Sequence, residues 1–232
     1  MAQEYKVYNY RWVVLGVFML LNLTMQMLWI SYAPITGPAT NYYGVSDLQI
    51  GLLSMVFMIA FIPLSLPVAW LIDKYGFRKA VCIGAILMGI FGVLRGLAGT
   101  NYSVVLLSTI GIAIAQPFLL NAWTTVPAKW FRKEERATIV GFITLANLVG
   151  TGLGMVVTPI LYENGTPIST IQLIYGGIAA FSSLLFILFA RENPPTPPCS
   201  AEEQVRAFML DGLKHAIKVK PFLMFLIVSF IG

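Results

Sequence analysis

The amino-acid sequence predicts an all-α membrane protein built on a bundle of six transmembrane helices, and three observations predict it. Hydrophobic residues make up 58% of the 232-residue chain, charged residues make up 11%, and the mean hydropathy is +0.80. Such a composition excludes an ordinary soluble domain. Six apolar stretches each hold the roughly 20 residues that a helix needs to cross about 30 Å of hydrocarbon. The basic residues collect in alternate connections between these stretches.

The six spans are expected, in order, at residues 12–35, 49–72, 80–98, 103–126, 137–161 and 170–190. Every Lys and Arg except Arg95 precedes the first span or follows the second, fourth or sixth. The connections near residues 42–47, 100–102 and 163–166 contain neither. The positive-inside rule therefore places the N-terminus in the cytoplasm. We expect a multi-pass protein of the plasma membrane.

Charged residues are almost absent at membrane depth. No Asp or Glu lies within the six predicted spans, and a proton-coupled carrier usually needs a carboxylate or a histidine there. Arg95 lies about 24 Å above Lys79 along the third span. We interpret Arg95 as snorkelling to the outer surface, with contact to an anion as the alternative.

The residues after the sixth span divide into two segments. Residues 191–220 form a predicted cytoplasmic loop, in which Ser200 and Glu203 match a capping box before an amphipathic helix on the inner membrane surface. Residues 221–232 are an apolar stretch that reaches only about 18 Å as a helix. We read this stretch as the truncated start of a seventh span after a six-helix domain at residues 1–190. The alternative is a six-span protein that dimerises.

Small residues recur every four positions on two spans. They lie on the third and the fifth span at Gly92 and Gly96, and at Ala146, Gly150 and Gly154. Such ridges let helices approach closely, so we expect tight packing there.

The segment after the second span reads Asp73-Lys74-Tyr75-Gly76-Phe77-Arg78-Lys79. Together with six spans, a long loop and the start of a seventh, it resembles the signature of the major facilitator superfamily, whose fold joins two six-helix halves. The resemblance implies an N-terminal half whose partner is an absent C-terminal six-helix half. It also implies a conformational latch formed by Asp73, Lys74, Gly76, Arg78 and Lys79. Ala69 and Phe77 depart from the usual glycine and arginine of that signature.

Shorter matches cover the whole chain and resemble feline leukaemia virus subgroup C receptor-type carriers, a branch that includes choline and haem-associated transporters. They are residues 62–71, Trp29-Ile30 with Tyr32, residues 43–46, Ala115-Gln116 with Phe118, and Trp130-Phe131. In that branch a substrate-contacting glutamine directly follows an asparagine in the fifth span. Here Asn147 is followed by Leu148, so choline is a candidate substrate only.

Polar side chains inside spans usually face the bundle interior, and their depths suggest a substrate site. Asn22, Asn121 and Asn147 lie roughly 12–16 Å above the inner ends of their spans, and Gln26 and Gln116 lie about 20 Å up. Trp29, with Tyr32, is the candidate face for a cation–π contact. The alternative is that these amides merely bridge helices.

The sequence suggests transport of a small organic solute by alternating access, with a cationic or amphipathic metabolite as the candidate. The expected partners are this small molecule, the lipid bilayer and the other half. One histidine and two distant cysteines indicate no catalytic site, metal site or cofactor, and the charge pattern indicates no nucleic acid. The alternative function is a non-transporting receptor or scaffold built on a carrier fold.

Overall fold

A computed structural model describes residues 7–198 of the chain. Within that range six helices are long and apolar enough to cross a membrane, which confirms the predicted fold class. The predicted amphipathic helix and the start of a seventh span lie outside the described residues. The spans comprise the helices α1 (Tyr10–Ile30) with α2 (Thr36–Tyr43), α3 (Asp47–Tyr75), α4 (Phe77–Leu97), α5 (Tyr102–Leu120) with α6 (Thr125–Trp130), α7 (Arg136–Glu163) and α8 (Ile168–Phe189).

The first span is interrupted where the sequence predicted a continuous helix to residue 35. Its main helix ends at Ile30, and a single 3₁₀ turn at Ala33–Ile35 leads into the short helix α2. Pro34 explains the break, because proline has no amide hydrogen to donate to the carbonyl of Ile30 and its ring clashes with that carbonyl.

The fourth span is interrupted as well. Helix α5 ends at Leu120, although the sequence predicted a continuous helix to residue 126. The next turn tightens: the amide of Ala122 donates to the carbonyl of Leu119 over 3.2 Å, and the amide of Trp123 donates to the carbonyl of Leu120 over 3.3 Å. Pro127 cannot supply the hydrogen bond that the carbonyl of Trp123 would accept in a continuous helix.

Small residues bring the spans together as predicted. The first span packs against the fifth, and the third packs against the sixth and the fourth. A Cβ atom added to Gly150 would overlap the backbone carbonyl of Leu23, and one added to Gly176 would overlap the backbone of Gly92. The predicted small-residue ridges on the third and fifth spans are therefore confirmed as sites of close helix approach.

The two ends of the bundle differ in chemistry. One end, here called the basic end, carries Lys74, Arg78 and Lys129 together with the start of the first span. The opposite end holds a cluster of buried aromatic and aliphatic side chains, formed by Tyr32, Ile35, Ala39, Tyr43, Ile50, Leu53, Val105 and Ile168. Large apolar side chains are exposed along the second and fifth spans, among them Ile62 and Leu148. The protein is a multi-pass integral membrane protein.

Candidate functional site

Two of the predicted polar residues meet between the first and fifth spans. The Nε2 atom of Gln26 donates to the Oδ1 atom of Asn147 over 2.8 Å. Asn147 in turn donates its Nδ2 to the carbonyl of Ile143 in its own helix. Gln26 is 9% exposed and Asn147 is 6% exposed. Within the described residues no donor reaches the Oε1 atom of Gln26, so this acceptor is available to a ligand.

Asn22 lies fully buried one turn below Gln26 on the same face of the first span. Its Oδ1 atom accepts a hydrogen bond of 2.9 Å from the indole Nε1 of Trp123 in the fourth span. Its Nδ2 atom donates to the carbonyl of Phe18 over 2.9 Å. Both polar atoms of this amide are thus occupied, and Asn22 ties the first span to the break in the fourth.

Asn121 connects the fourth span to the second. Its Nδ2 atom donates to the carbonyl of Ser65 over 2.8 Å, and the hydroxyl of Ser65 donates back to Oδ1 over 3.4 Å. Pro63 and Pro67 lie on either side of Ser65 within the second-span helix.

Trp29 and Tyr32 have different surroundings, although they are close in sequence. The indole Nε1 of Trp29 donates to the carbonyl of Ser54 in the second span over 3.2 Å, and its ring is half-buried. Tyr32 is buried, and its hydroxyl lies 2.9 Å from that of Tyr43. The guanidinium carbon of Arg95 lies 5.4 Å from the centre of the Tyr32 ring. The cation at the Tyr32 ring is therefore one of the protein's own side chains.

Gln116 is the predicted polar residue that keeps its amide free. It is 8% exposed and has no hydrogen-bond partner among residues 7–198. It lies one turn before the end of helix α5 at Leu120. By the depth estimated from the sequence, Gln116 lies at roughly the level of Gln26.

Four of the five predicted amides bridge helices, which was the alternative interpretation of their positions: Asn22, Gln26, Asn121 and Asn147. The first span reaches the second, fourth and fifth spans through Trp29, Asn22 and Gln26 in turn. The bridges leave three groups for a ligand: the half-buried ring of Trp29, the Oε1 atom of Gln26 and the amide of Gln116. The i, i+3 spacing of Gln26 and Trp29 places these two residues on one face of the first-span helix.

Arg95 does not snorkel, and that interpretation was wrong. It is 1% exposed and donates through Nη1 to the carbonyl of Leu28 over 3.0 Å and through Nη2 to the hydroxyl of Ser31 over 3.2 Å. Its Nε atom has no partner among the described residues. The error arose because depth along the third span does not reveal which face of the helix carries the side chain.

Glu192, which the sequence analysis did not single out, organises the basic end. Its carboxylate accepts hydrogen bonds from the backbone amides of Phe77 at 3.2 Å and Arg78 at 2.7 Å, and it forms an ion pair with Lys129. The first turn of the third span thereby receives the acceptor that its glycine N-cap lacks. The available signal was an acidic residue standing alone between the sixth span and a run of prolines.

A cavity of about 710 Å³ opens beside this carboxylate. Asp73, Lys74 and Gly76 of the predicted latch line it together with Lys129 and Glu192. Gly76 has a φ of +90°, and a Cβ atom there would lie within 2.5 Å of the Glu192 carboxylate, which explains the need for glycine.

The other two residues of the predicted latch are not part of the cavity lining. The side chains of Arg78 and Lys79 are exposed, and the backbone amide of Arg78 is bound by Glu192. Among residues 7–198 no group of three potential metal ligands comes together.

Comparison with known proteins identifies relatives of this arrangement. The family model described as "Major Facilitator Superfamily" matches residues 14–232. The rat protein named choline/ethanolamine transporter FLVCR2 is 32% identical over 206 residues, covering 85% of this chain and 38% of the relative. The mouse choline/ethanolamine transporter FLVCR1 is 32% identical over 218 residues, covering 84% and 39%. The zebrafish solute carrier family 49 member A3 is 29% identical over 231 residues, covering 95% and 48%.

A solved structure shares the fold. A bacterial homologue of the human lysosomal transporter Spinster, solved in an inward-facing and unoccupied conformation, superposes with a TM-score of 0.66 at 19% identity. The match covers 88% of this chain and 49% of that protein. The chain therefore spans about half the length of that structure, and between 36 and 50% of the length of the curated relatives reported for it.

Proposed function

The chain belongs to the major facilitator superfamily, and from this premise we propose that it forms the N-terminal half of a carrier for a small organic cation. The carrier works by alternating access, in which two six-helix halves rock around a central site. The observation that carries the proposal is the half-buried ring of Trp29, with the free Oε1 acceptor of Gln26 one turn away on the same helix.

The chemistry of these groups suits a quaternary ammonium or amino alcohol. The face of an indole attracts a cation within about 6 Å, and such contacts recur where proteins bind choline-like groups. The Oε1 atom of Gln26 accepts a hydrogen bond from a hydroxyl, and the amide of Gln116 both donates and accepts. Relatives named choline/ethanolamine transporters support a solute with these two features.

The remaining predicted site residues act by holding the spans that carry these groups. Asn147 orients Gln26, Asn121 joins the second and fourth spans, and Asn22 joins the first and fourth. Tyr32 completes the packed cluster above Trp29. We propose that these four residues shape the substrate site mainly through their bridges, since their polar atoms are largely engaged within the bundle.

We propose that the carrier lies in the plasma membrane and that its basic end faces the cytoplasm. The basic residues at this end satisfy the positive-inside rule. The cavity beside Asp73 and Glu192 is then where a C-terminal half closes, with Asp73, Lys74, Gly76, Arg78 and Lys79 forming the latch. The relatives are about twice as long as the chain, which supports a second half.

No acidic residue lies in the middle of the described spans. The acidic residues of their helices lie at or near the helix ends: Asp47, Asp73 and Glu163. A carboxylate at membrane depth is the usual proton-coupling group. We therefore propose facilitated diffusion through this half, with any coupling group located in the other half.

One observation favours a second candidate function. Leu148 stands where the resembling branch has a substrate-contacting glutamine, and its side chain is 64% exposed. An apolar side chain there favours a receptor or scaffold that keeps the carrier fold without transporting. The two candidates differ in one measurable property, the movement of solute across a sealed membrane.

The test uses the complete protein reconstituted in liposomes. Radiolabelled choline uptake is measured with and without competition by its uncharged isostere 3,3-dimethylbutan-1-ol. Saturable uptake that responds to quaternary ammonium compounds and is indifferent to the isostere supports the proposal. If the quaternary ammonium compounds and the uncharged isostere compete equally, the proposal that the site selects a cation is excluded. A complete absence of uptake across a panel of amines and amino alcohols supports the receptor candidate.

A further inference from the structure

Arg95 of the third span contacts the first span on both sides of Trp29. Its guanidinium donates to the carbonyl of Leu28 and to the hydroxyl of Ser31, and it lies over the ring of Tyr32. The guanidinium therefore contacts Leu28, directly before Trp29, and both Ser31 and Tyr32, which follow Trp29 in the sequence. The planar fork of arginine suits such a site, because several donors leave it in fixed directions.

Burial of this charge has a local explanation. Arg95 has no ion-pair partner among the described residues, and a buried charge without compensation is strongly destabilising. The first-span helix ends at Ile30, so Leu28 lies in its last turn, where the helix dipole is negative and carbonyls lack helical donors. Arg95 supplies both the charge and the donors that this interrupted end requires.

The third span is itself firmly held, so it can act as a fixed support. A Cβ atom added to Gly96 would overlap the backbone of Leu173 in the sixth span. Gln172, next to that contact, is fully buried and accepts a hydrogen bond of 3.2 Å from the hydroxyl of Ser31. The break in the first span is thereby anchored to two packed helices.

Trp29 is restrained from the other direction by the second span. Its indole donates to the carbonyl of Ser54, and the hydroxyl of Ser54 donates to the carbonyl of Trp29 over 3.4 Å. One pair of contacts fixes the ring and the contacts of Arg95 fix the backbone that carries it. We therefore expect a change in either set of contacts to alter the orientation of the Trp29 ring.

We propose that Arg95 is a positioning residue, which orients Trp29 toward a cationic solute by clamping the interrupted end of the first-span helix. Arg95 does not touch the solute. The inference rests on the proposed function in one respect, the use of the Trp29 ring by the solute. Its structural part, the dependence of the Trp29 environment on Arg95, stands independently and is measured independently.

The binding test is a double-mutant cycle in the complete protein with tetramethylammonium as the probe. Arg95→Lys keeps the charge but cannot reach both acceptors with a planar fork. We expect it to weaken binding about fivefold to thirtyfold, the range lost when a desolvated cation–π contact fails. In the Trp29→Ala background the same change should cost less than twofold. Equal losses in both backgrounds overturn the inference.

The structural test uses 5-fluorotryptophan and ¹⁹F NMR, with the Trp29 resonance assigned from its loss in Trp29→Phe. Arg95→Lys should shift this resonance and leave that of Trp70 unchanged. If Trp29→Ala itself leaves binding intact, the proposed function fails, and this spectrum alone decides the inference. An unmoved Trp29 resonance overturns it.

Two further variants keep the test interpretable. Ser31→Ala removes one acceptor of Arg95 without touching its charge, and it replaces Arg95→Lys if the latter does not fold. It should produce a smaller shift of the Trp29 resonance in the same direction. Arg132→Met is the matched control, because the side chain of Arg132 is exposed between the fourth and fifth spans. It should change neither binding nor the spectrum.

Discussion

Gln26 and Asn147 lie 121 positions apart and share a hydrogen bond of 2.8 Å between their side-chain amides. The bond joins the first and fifth spans at a level where Gly150 and Gly154 bring the two helices into close contact. This polar pair holds the two helices in register. It also leaves the Oε1 atom of Gln26 as an acceptor without a partner among the described residues. The same residues therefore serve as a bridge and as a candidate ligand surface.

Removing one partner of this pair should cost more than removing both. Asn147→Leu leaves the Nε2 of Gln26 without an acceptor, and we expect a loss of about 1–2 kcal/mol of stability. Adding Gln26→Leu should recover part of that loss, because no buried amide then lacks a partner. Unfolding in mixed SDS micelles measures both values. Thr144→Val is the control, because the hydroxyl of Thr144 bonds only within its own helix. Strictly additive losses of stability from Asn147→Leu and Gln26→Leu would contradict the bridge.

Trp29 should contribute to binding through its ring. Trp29→Ala should lose about 1–2 kcal/mol of affinity for tetramethylammonium, and Trp29→Phe should retain part of it, since phenylalanine keeps a π face but loses the bond to Ser54. Isothermal titration of the complete protein measures the affinities. Trp70→Phe serves as the control because Trp70 is half-exposed near the basic end. Similar affinity losses in Trp29→Ala and Trp70→Phe would rule out a specific ring contact.

Asp73 should control turnover without changing solute affinity. As part of the proposed latch it stabilises one arrangement of the two halves, so Asp73→Asn should slow transport several-fold while equilibrium binding stays within about twofold. Initial uptake rates and titrations on the same preparation separate these effects. Asp47→Asn, at the opposite end of the same span and bonded to Thr40, should leave the transport rate alone. Normal rates with Asp73→Asn at equal expression would count against the latch.

Glu192 should stabilise the first turn of the third span. Glu192→Ala removes the acceptor of the Phe77 and Arg78 amides and the partner of Lys129, and we expect a loss of about 1–2 kcal/mol, typical for a helix cap with a partly screened ion pair. Hydrogen exchange at these two amides should accelerate. Glu134→Ala, on an exposed residue, is the control. Unchanged exchange at Phe77 and Arg78 would show that the carboxylate does not cap the helix in solution.

Gly150 and Gly152 provide a matched pair for the contact between the first and fifth spans. A methyl group at Gly150 meets the carbonyl of Leu23, whereas one at Gly152 meets nothing within 4 Å. Gly150→Ala should destabilise the bundle by about 1–3 kcal/mol through overpacking. Gly152→Ala should be neutral or stabilising by roughly 0.5–1 kcal/mol, because alanine favours the helix. The comparison is made by SDS-induced unfolding, and equal effects would remove the close approach as the cause.

Local composition was sufficient to predict the helices. A span is recognised from about 20 consecutive apolar residues, and that property depends only on neighbouring positions and on the thickness of the bilayer. The expected end of the first span at residue 35 was nevertheless wrong for its main helix, since Pro34 lies within an otherwise apolar stretch. The domain boundaries at residues 190 and 220 stay predictions.

The sequence by itself determined the six spans, the alternation of basic connections and the presence of amides at mid-depth in the first, fourth and fifth spans. Only the tertiary structure decided what those amides contact, that Arg95 turns inward to hold the first span, and that Glu192 caps the third. The physical reason is that crossing a membrane is a property of a single segment. The partner of a buried polar group depends instead on the rotation and approach of helices that are distant in sequence.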